Sequence, residues 1–245
     1  MMQQQTHARA LPARRSVAKA QFVGTVTDFL VADPHGHPRP QAFLVEQSAN
    51  WRLPTHFHLA HQFQVFVAGS ATLGKSPVTT PSVHYASPHS AYGPLNSGAE
   101  GVSYFTLRLL SDDGAWYLPE ARDKLKLRIP KRQTHGAPAG HVSAEQLAAL
   151  PAPAQETLIE PETGGLAAWI MRLPPNASTS APPPHPNGAG RFYVVTQGAL
   201  RANGEELPRL STLFASPDDS LDLAAGSHGL EVVIVQYPAE ALVSV

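Results

Sequence analysis

The chain of 245 residues repeats itself with a period near 129, and this repeat limits the folds that it can adopt. Four features recur in the same order over more than forty residues. The matched positions, first copy then second, are His56 with His185, Gly69 with Gly198, Tyr85–Pro88 (YASP) with Phe214–Pro217 (FASP), and, after a one-residue deletion, Gly98 and Gly101 with Gly226 and Gly229. Self-similarity in a fixed register predicts two copies of one structural unit.

Each copy has the sequence texture of a β structure. Short apolar or alternating runs are separated by Gly, Pro and Asn, and helical periodicity is scarce. The clearest runs are 62–67, 103–110, 192–196 and 231–237. Many short strands between turn residues predict an all-β fold, either a sandwich or a barrel, that occurs twice in the chain.

The domain boundaries follow from changes in composition. Residues 1–25 are basic and lack a signal-peptide core, so they are predicted to form a mobile arm. A first barrel is expected over 26–130 and a second over 155–245. The Pro- and Gly-rich segment 131–154 between them is interpreted as a linker with one short helix, because Ser143 precedes Gln146 in a capping-box pattern.

Charge and composition narrow the classes of partner. The 18 Lys and Arg residues balance 19 Asp and Glu residues, so no net field favours nucleic acid or a membrane surface. We therefore expect a small, mostly uncharged ligand, and the absence of an apolar run of transmembrane length predicts a cytoplasmic protein. The chain contains no cysteine, which leaves histidine to bind any transition metal.

The segment GSATLGKS at 69–76 satisfies the P-loop pattern, but its context argues against phosphate binding. A phosphate cradle needs a helix directly after the lysine, and Pro77 with the β-branched residues that follow cannot supply one. The repeat places Gly74 and Lys75 opposite Asn203 and Gly204, and Asn-Gly is a strong hairpin signal. Both segments are therefore predicted to be hairpin turns.

His56, His58 and Gln62 form a candidate ligand set. Residues two apart on a strand point to the same face, so His56 and His58 can present two imidazoles to one ion, and Gln62 follows after a short turn. Neutral imidazole suits Fe, Mn, Ni or Zn. The amide oxygen of Gln62 supplies a dipole but no charge, which predicts weak binding of a divalent ion.

The spacing H-x-H-x3-Q-x6-G from His56 to Gly69 resembles the first motif of the cupin superfamily, with Gln62 in the place of its usual Glu. The second cupin motif corresponds to Ser87–Pro94, where the usual histidine is replaced by Tyr92 or Gly93. The resemblance implies two tandem cupin-type β-barrels (double-stranded β-helix, or jelly roll) with a few short helices. It also implies a divalent metal in the first barrel and a non-haem, dioxygenase-like or isomerase activity.

The resemblance assigns roles to further residues of the first barrel. Tyr92, if deprotonated, is the expected fourth metal ligand, and His89 or His84 could take that place if their loop bends inward. Four side chains are expected to line the ligand pocket, namely Gln64, Phe66, His84 and His89. The residues of the second copy depart further from the motif, because His185, Asn187 and Arg191 stand at the ligand positions and Arg191 would repel a cation. A degenerate, metal-free second site is therefore predicted.

Three interpretations of His56 and His58 stay open at this point. They could hold a metal, line a vacant polar pocket that binds an organic ligand, or have a purely structural role. The second interpretation corresponds to a non-catalytic binding or regulatory protein. The apolar positions Phe63, Val65 and Val67 on the opposite face of the same strand predict packing on the sister domain or on a second subunit of a homodimer.

Overall fold

The computed structural model describes residues 2–31, 33, 35, 39–112, 114–126 and 128–243. Their contacts form two compact units. The first, here called the N-terminal unit, contains 13–135 and 241–243. The second, the C-terminal unit, contains 2–12 and 136–240. None of the helices in the described part of the chain has the length and hydropathy of a membrane-spanning segment.

The C-terminal unit begins with residues from the start of the chain. It contains β1 (Gln3–Gln5), the short helix α1 (His7–Ala10), and most of a 3₁₀ turn at Leu11–Ala13. The remaining strands of the chain are numbered in order below. The N-terminal unit contains β2 (Arg14–Lys19), β3 (Phe22–Leu30), β4 (Gln41–Gln47), β5 (Arg52–Leu53), β6 (His56–Phe57), β7 (Gln62–Leu73), β8 (Ser76–Val78), β9 (Ser82–Ala86), β10 (Leu95–Arg108), β11 (Trp116–Tyr117), a 3₁₀ turn at Arg122–Lys124, and β12 (Gln133–His135).

The rest of the C-terminal unit begins with the short helix α2 (Ala144–Ala148). Its strands are β13 (Ala154–Ile159), β14 (Ala167–Leu173), β15 (Ser178–Ser180), β16 (Gly188–Ala202), β17 (Glu205–Pro208), β18 (Thr212–Ala215) and β19 (Asp222–Pro238), with a 3₁₀ turn at Ala239–Leu242 after them. The fold is therefore all-β with a few short helices, as predicted.

Corresponding strands of the two units pair in the same order. The N-terminal sheet runs β12-β9-β7-β10-β4-β3-β2, with β5 on β10 and β8 on β7. The C-terminal sheet runs β1-β18-β16-β19-β14-β13, with β15 on β19 and β17 on β16. A separate two-stranded sheet joins β6 to β11 in the N-terminal unit. All of these pairings are antiparallel, which suits short strands joined by tight turns.

Each unit has its own apolar core between these strands. In the N-terminal unit the core includes Leu53, Phe66, Leu95 and Tyr104. In the C-terminal unit it includes Trp169, Met171, Tyr193, Leu200, Leu230 and Ile234. Burial of these side chains is the main source of stability for each unit.

The repeated glycines occupy equivalent strained positions. Gly69 has a φ of +75° and Gly198 a φ of +67°, both in the left-handed region. A Cβ at Gly69 would lie 2.2 Å from the carbonyl oxygen of Gly101, and one at Gly198 would lie 2.0 Å from that of Gly229. Close backbone approach therefore explains why the glycine spacing recurs in both copies.

The two predicted hairpins are confirmed. Leu73 pairs with Ser76 across the Gly74-Lys75 turn, and Ala202 pairs with Glu205 across the Asn203-Gly204 turn. The segment 69–76 thus continues a sheet and does not lead into a helix. The predicted helix after Ser143 is also present as α2, with both hydrogen bonds of the capping box.

The structure differs from the predicted mobile arm over 1–25. Gln3–Gln5 pairs with β18, and Arg14–Lys19 pairs with β3. Both strands lie at sheet edges and are partly or largely exposed, so they lack the apolar alternation that marks a strand in sequence. Backbone pairing holds them in place, with exposed ion pairs such as Arg14 with Glu46. At the start of the predicted linker, residues 133–135 likewise pair with β9.

Candidate functional site

The N-terminal unit contains a partly open cavity of about 140 Å³. Its polar side is formed by His56, His58, Gln62, Gln64, Tyr92 and Arg108. Aromatic and aliphatic side chains complete the lining, including Phe22, Phe43, Val45, Leu53, Tyr104 and Tyr117. All four predicted metal ligands, His56, His58, Gln62 and Tyr92, therefore line the same cavity.

His56 is held by hydrogen bonds at both ring nitrogens. Its Nδ1 lies 2.8 Å from the carbonyl oxygen of Pro54, and its Nε2 lies 3.1 Å from the Tyr92 hydroxyl. A carbonyl can only accept, so Nδ1 carries the proton and Nε2 accepts the hydrogen bond from Tyr92. Burial lowers the pKa of His56 to about 3, assisted by the nearby His58, and the imidazole is neutral at pH 7.

Gln62 is fixed by a buried guanidinium. Arg108, directly opposite it on β10, donates from Nε over 3.1 Å and from Nη2 over 2.8 Å to Gln62 Oε1. Because Arg only donates, the amide oxygen must face it, and Gln62 Nε2 then donates to the Tyr92 hydroxyl. The result is one directional chain of hydrogen bonds that runs from Arg108 through Gln62 and Tyr92 to His56.

His58 forms a dyad with Asp112. The His58 Nδ1 lies 2.6 Å from Asp112 Oδ2, and the carboxylate also accepts from the backbone N–H groups of Leu59 at 2.7 Å and Gly114 at 3.0 Å. Burial alone would raise the pKa of Asp112, but the hydrogen bond from His58 and the charge of Arg108 lower it to about 2. Asp112 is therefore ionised, with a fully buried side chain.

Burial and the positive charge of Arg108 oppose protonation of His58. Arg108 Nη2 lies 3.0 Å from His58 Nδ1, and Arg108 Nη1 lies 3.4 Å from Asp112 Oδ2. Burial and then the charge of Arg108 lower the pKa of His58, while Asp112 and the nearby Gly114 backbone act in the opposite direction. Asp112 neutralises Arg108, so the polar side of the cavity carries no net charge.

Sequence reasoning did not identify Arg108 and Asp112 as site residues. One signal was present, since Arg108 is a lone charged residue within the apolar run 104–110, and buried charges require partners. The partner of its guanidinium is 46 positions away at Gln62, and that pairing is visible only in the folded sheet. Asp112 carries no distinctive local pattern.

Gln64 is the predicted pocket residue that lines the cavity. His84 lies behind it, directly opposite on β9, and its Nδ1 lies 3.0 Å from Gln64 Oε1. Burial lowers the pKa of His84 to about 3, with a further contribution from His135, whose ring centroid is 4.8 Å away. His84 therefore positions Gln64 and is not part of the cavity wall.

Phe66 and His89 are also placed outside the cavity. Phe66 belongs to the apolar core and packs on Tyr104 with ring centroids 5.2 Å apart. His89 lies in a tight turn, where its ring stacks on Phe57 and its Nδ1 accepts from the backbone N–H of Lys126 at 3.3 Å. The loop therefore does not bend inward as the pocket prediction required.

The predicted metal ligands do not fit a divalent cation in this arrangement. Gln62 Oε1 accepts two hydrogen bonds from Arg108, and His56 Nε2 accepts one from Tyr92. Burial raises the pKa of Tyr92, so the phenol keeps its proton. The ligand set lacks a negative charge, and the positive charge of Arg108 lies against it. Within the described residues no group of three or more His, Cys, Asp or Glu side chains could hold a metal ion.

The equivalent region of the C-terminal unit is filled. Arg191 is buried, donates from Nε to Gln236 Oε1 at 2.9 Å, and lies over the ring of Trp169 at 5.5 Å. The backbone N–H of His185 donates to the same Gln236 oxygen at 3.1 Å. Asn187 is directed elsewhere and donates to a backbone carbonyl. The remaining space is about 10 Å³, which is room for one water molecule.

No family model and no curated protein sequence matches the chain. Solved structures do match. They include bacterial pirin YhhW from Escherichia coli in complex with nickel(II), at 12% identity and a TM-score of 0.58 over 97% of this chain and 99% of that one. Salicylate 1,2-dioxygenase from Pseudoaminobacter salicylatoxidans with gentisate matches at 12% identity and a TM-score of 0.55, over 96% of this chain and 81% of that one. Quercetin 2,3-dioxygenase from Acinetobacter baumannii matches at 13% identity and a TM-score of 0.55, over 97% of this chain and 79% of that one.

Proposed function

The chain has the cupin fold in two tandem copies, and from this premise we propose that its N-terminal unit binds a small, uncharged organic ligand with one aromatic ring, without a metal ion. The size of the cavity supports a single ring. An engineered apolar cavity of about 150 Å³ binds benzene, and the cavity here measures about 140 Å³.

The observation that carries the proposal is the pairing of Arg108 with Gln62. The amide oxygen that could have ligated a cation accepts two N–H groups of a guanidinium instead. Arg108 therefore supplies a fixed positive charge at the polar side of the cavity, and Asp112 compensates it. A charged ligand would disturb this balance beside the buried side chains of Arg108 and Asp112, whereas a neutral ligand would not.

The walls of the cavity also favour a ring. Phe22, Phe43, Tyr104 and Tyr117 offer aromatic faces and edges, which suit offset or edge-to-face contacts with a bound ring. Gentisate, the compound named for the similar salicylate dioxygenase, also has a single aromatic ring, but it carries a carboxylate. The similar structure therefore supports the size of the proposed ligand and not its charge.

Titration of the purified protein with toluene, followed by NMR, tests the proposal. Val26 lines the cavity from β3, and Val26→Phe should fill it and abolish toluene binding. Val23 lies on the opposite face of the same strand, so Val23→Phe is the matched control and should bind toluene like the wild type. Absence of binding to the wild type, or equal loss in both variants, contradicts the proposal.

A metal-dependent, dioxygenase-like oxidoreductase is the second candidate function. Similar structures include two dioxygenases and a nickel complex. In addition, both imidazoles are fixed through Nδ1, His56 by Pro54 and His58 by Asp112, as is usual for histidines that bind metal through Nε2. This function requires Arg108 to leave Gln62, and stabilisation of the protein by added Fe, Mn, Ni or Zn salts would support it.

A further inference from the structure

Four side chains on the polar side of the cavity already donate hydrogen bonds to one another or to the backbone. Arg108 donates to Gln62, Gln62 donates to Tyr92, Tyr92 donates to His56, and His56 donates to Pro54. Each step has a forced direction, because the chain begins at a side chain that only donates and ends at a carbonyl that only accepts. A ligand cannot take a donor from this chain without breaking it.

His58 differs from these residues because one of its ring nitrogens is a free acceptor. Both oxygens of the Asp112 carboxylate accept backbone N–H groups, and Oδ2 lies 2.6 Å from His58 Nδ1, closer than Arg108 Nη2 at 3.0 Å. The ring proton is therefore assigned to Nδ1, where it is donated to the carboxylate, and Nε2 carries the lone pair. Among the described residues, none donates a hydrogen bond to Nε2. The His58 ring lines the cavity, 5.3 Å from the His56 ring and 6.3 Å from the Tyr92 ring between centroids. His58 therefore offers an acceptor to a bound molecule.

We infer that the ligand carries a hydroxyl group on its ring and that His58 Nε2 accepts a hydrogen bond from it, so that the ligand class is a phenol. This inference rests on the proposed function, since it assumes that the cavity binds a ring. A carboxylate has no proton to donate and would place its charge against a lone pair. A plain hydrocarbon would cover the His58 acceptor without donating a hydrogen bond to it.

Asp112 acts here as a positioning residue. Its carboxylate selects the tautomer of His58, and Leu59 N–H and Gly114 N–H fix its own orientation. An Asn at this position keeps the shape but can donate to Nδ1, which moves the ring proton to Nε2 and removes the acceptor from the cavity. The loss affects ligands that donate a hydrogen bond and leaves hydrocarbons unaffected.

Phenol and toluene, which have similar sizes, test this role by calorimetric titration. The wild type should bind phenol at least as tightly as toluene, although the phenol hydroxyl must be desolvated. In Asp112→Asn the affinity for phenol should fall about five- to tenfold while that for toluene is unchanged. Asp28→Asn, which removes a carboxylate from an exposed ion pair with Arg15, is the matched control and should leave both affinities unchanged.

The outcomes separate the two proposals. If neither compound binds the wild type, the cavity proposal fails and this inference fails with it. If toluene binds at least tenfold more tightly than phenol, or if Asp112→Asn leaves the ratio of affinities unchanged, only the role of His58 is overturned. Nitrogen-15 NMR of the wild-type His58 ring provides a test that does not depend on the stability of the variant, and a protonated Nε2 would contradict the inference.

Discussion

Arg108 and Gln62 face each other across β10 and β7, and the guanidinium donates two hydrogen bonds to the amide oxygen. The C-terminal unit has the same pair with the residues exchanged, since Arg191 on β16 faces Gln236 on β19 and donates to its amide oxygen. In both units an Arg–Gln pair therefore occupies the position where the cupin motif has a metal ligand. In the N-terminal unit the pair borders a cavity, and in the C-terminal unit the space is filled.

Exchange of the pair in the N-terminal unit tests this equivalence. Arg108→Gln alone should destabilise the protein by about 3 kcal/mol, because it leaves the Asp112 carboxylate buried without its cation. Adding Gln62→Arg restores a guanidinium between the two strands and should recover about 1 kcal/mol or more. Urea unfolding of the two single variants and the double variant measures this coupling, and strictly additive effects would contradict it.

Removal of Asp112 should change the acid stability of the protein. Its folded pKa of about 2 lies below the ordinary Asp pKa of 3.8, so its contribution to stability is present above pH 4 and is lost as the pH falls towards 2. Asp112→Asn should be less stable by about 3 kcal/mol at pH 7, and this difference should narrow by about 2 kcal/mol between pH 4 and pH 2. Chemical unfolding across this range measures it. With Asp28→Asn as the exposed control, the difference should stay below about 1 kcal/mol.

His56 should make the protein sensitive to mild acid. Its pKa falls from 6.5 to about 3 on folding, so the unfolded chain binds the proton first and stability is lost as the pH falls below 6.5. A single such group contributes a slope of at most about 1.4 kcal/mol per pH unit. His56→Gln should flatten the stability curve between pH 6.5 and pH 4, and an unchanged slope would show that His56 does not resist protonation.

Gly69 should not tolerate a side chain, because its backbone lies close to that of Gly101. Gly69→Ala places a Cβ against the Gly101 carbonyl in a left-handed backbone and should cost more than about 1 kcal/mol. A Cβ at Gly164 meets nothing within 4 Å, so Gly164→Ala should change stability by less than about 0.5 kcal/mol. Thermal unfolding of the two variants measures the contrast, and equal effects would contradict the structural reading.

Features with a local signature could be predicted from the sequence. The alternating strand 62–67, the Asn203-Gly204 turn and the repeated glycines each have a pattern within a few residues, and the fold follows from them. The edge strands Gln3–Gln5 and Arg14–Lys19 could not be recognised, because polar residues without alternation pair through their backbones. The convergence of His56, His58, Gln62 and Tyr92 was predictable from the motif spacing.

The chemistry of the site could not be predicted in the same way. The orientation of the Gln62 amide depends on Arg108, and the tautomer of His58 depends on Asp112, which lies 54 positions away in the chain. Both relationships arise from long-range pairing of strands and loops, for which the sequence has no local pattern.

The central claim, that the N-terminal cavity binds a neutral ring without a metal ion, is tested most directly by the unfolding temperature of the wild-type protein. The protein is treated with a chelator and then heated alone, with toluene, and separately with Mn, Fe, Ni or Zn salts. Toluene should raise the unfolding temperature in proportion to the logarithm of its concentration, and none of the metal salts should change it. A rise of several degrees with one of the metal ions and none with toluene would contradict the account.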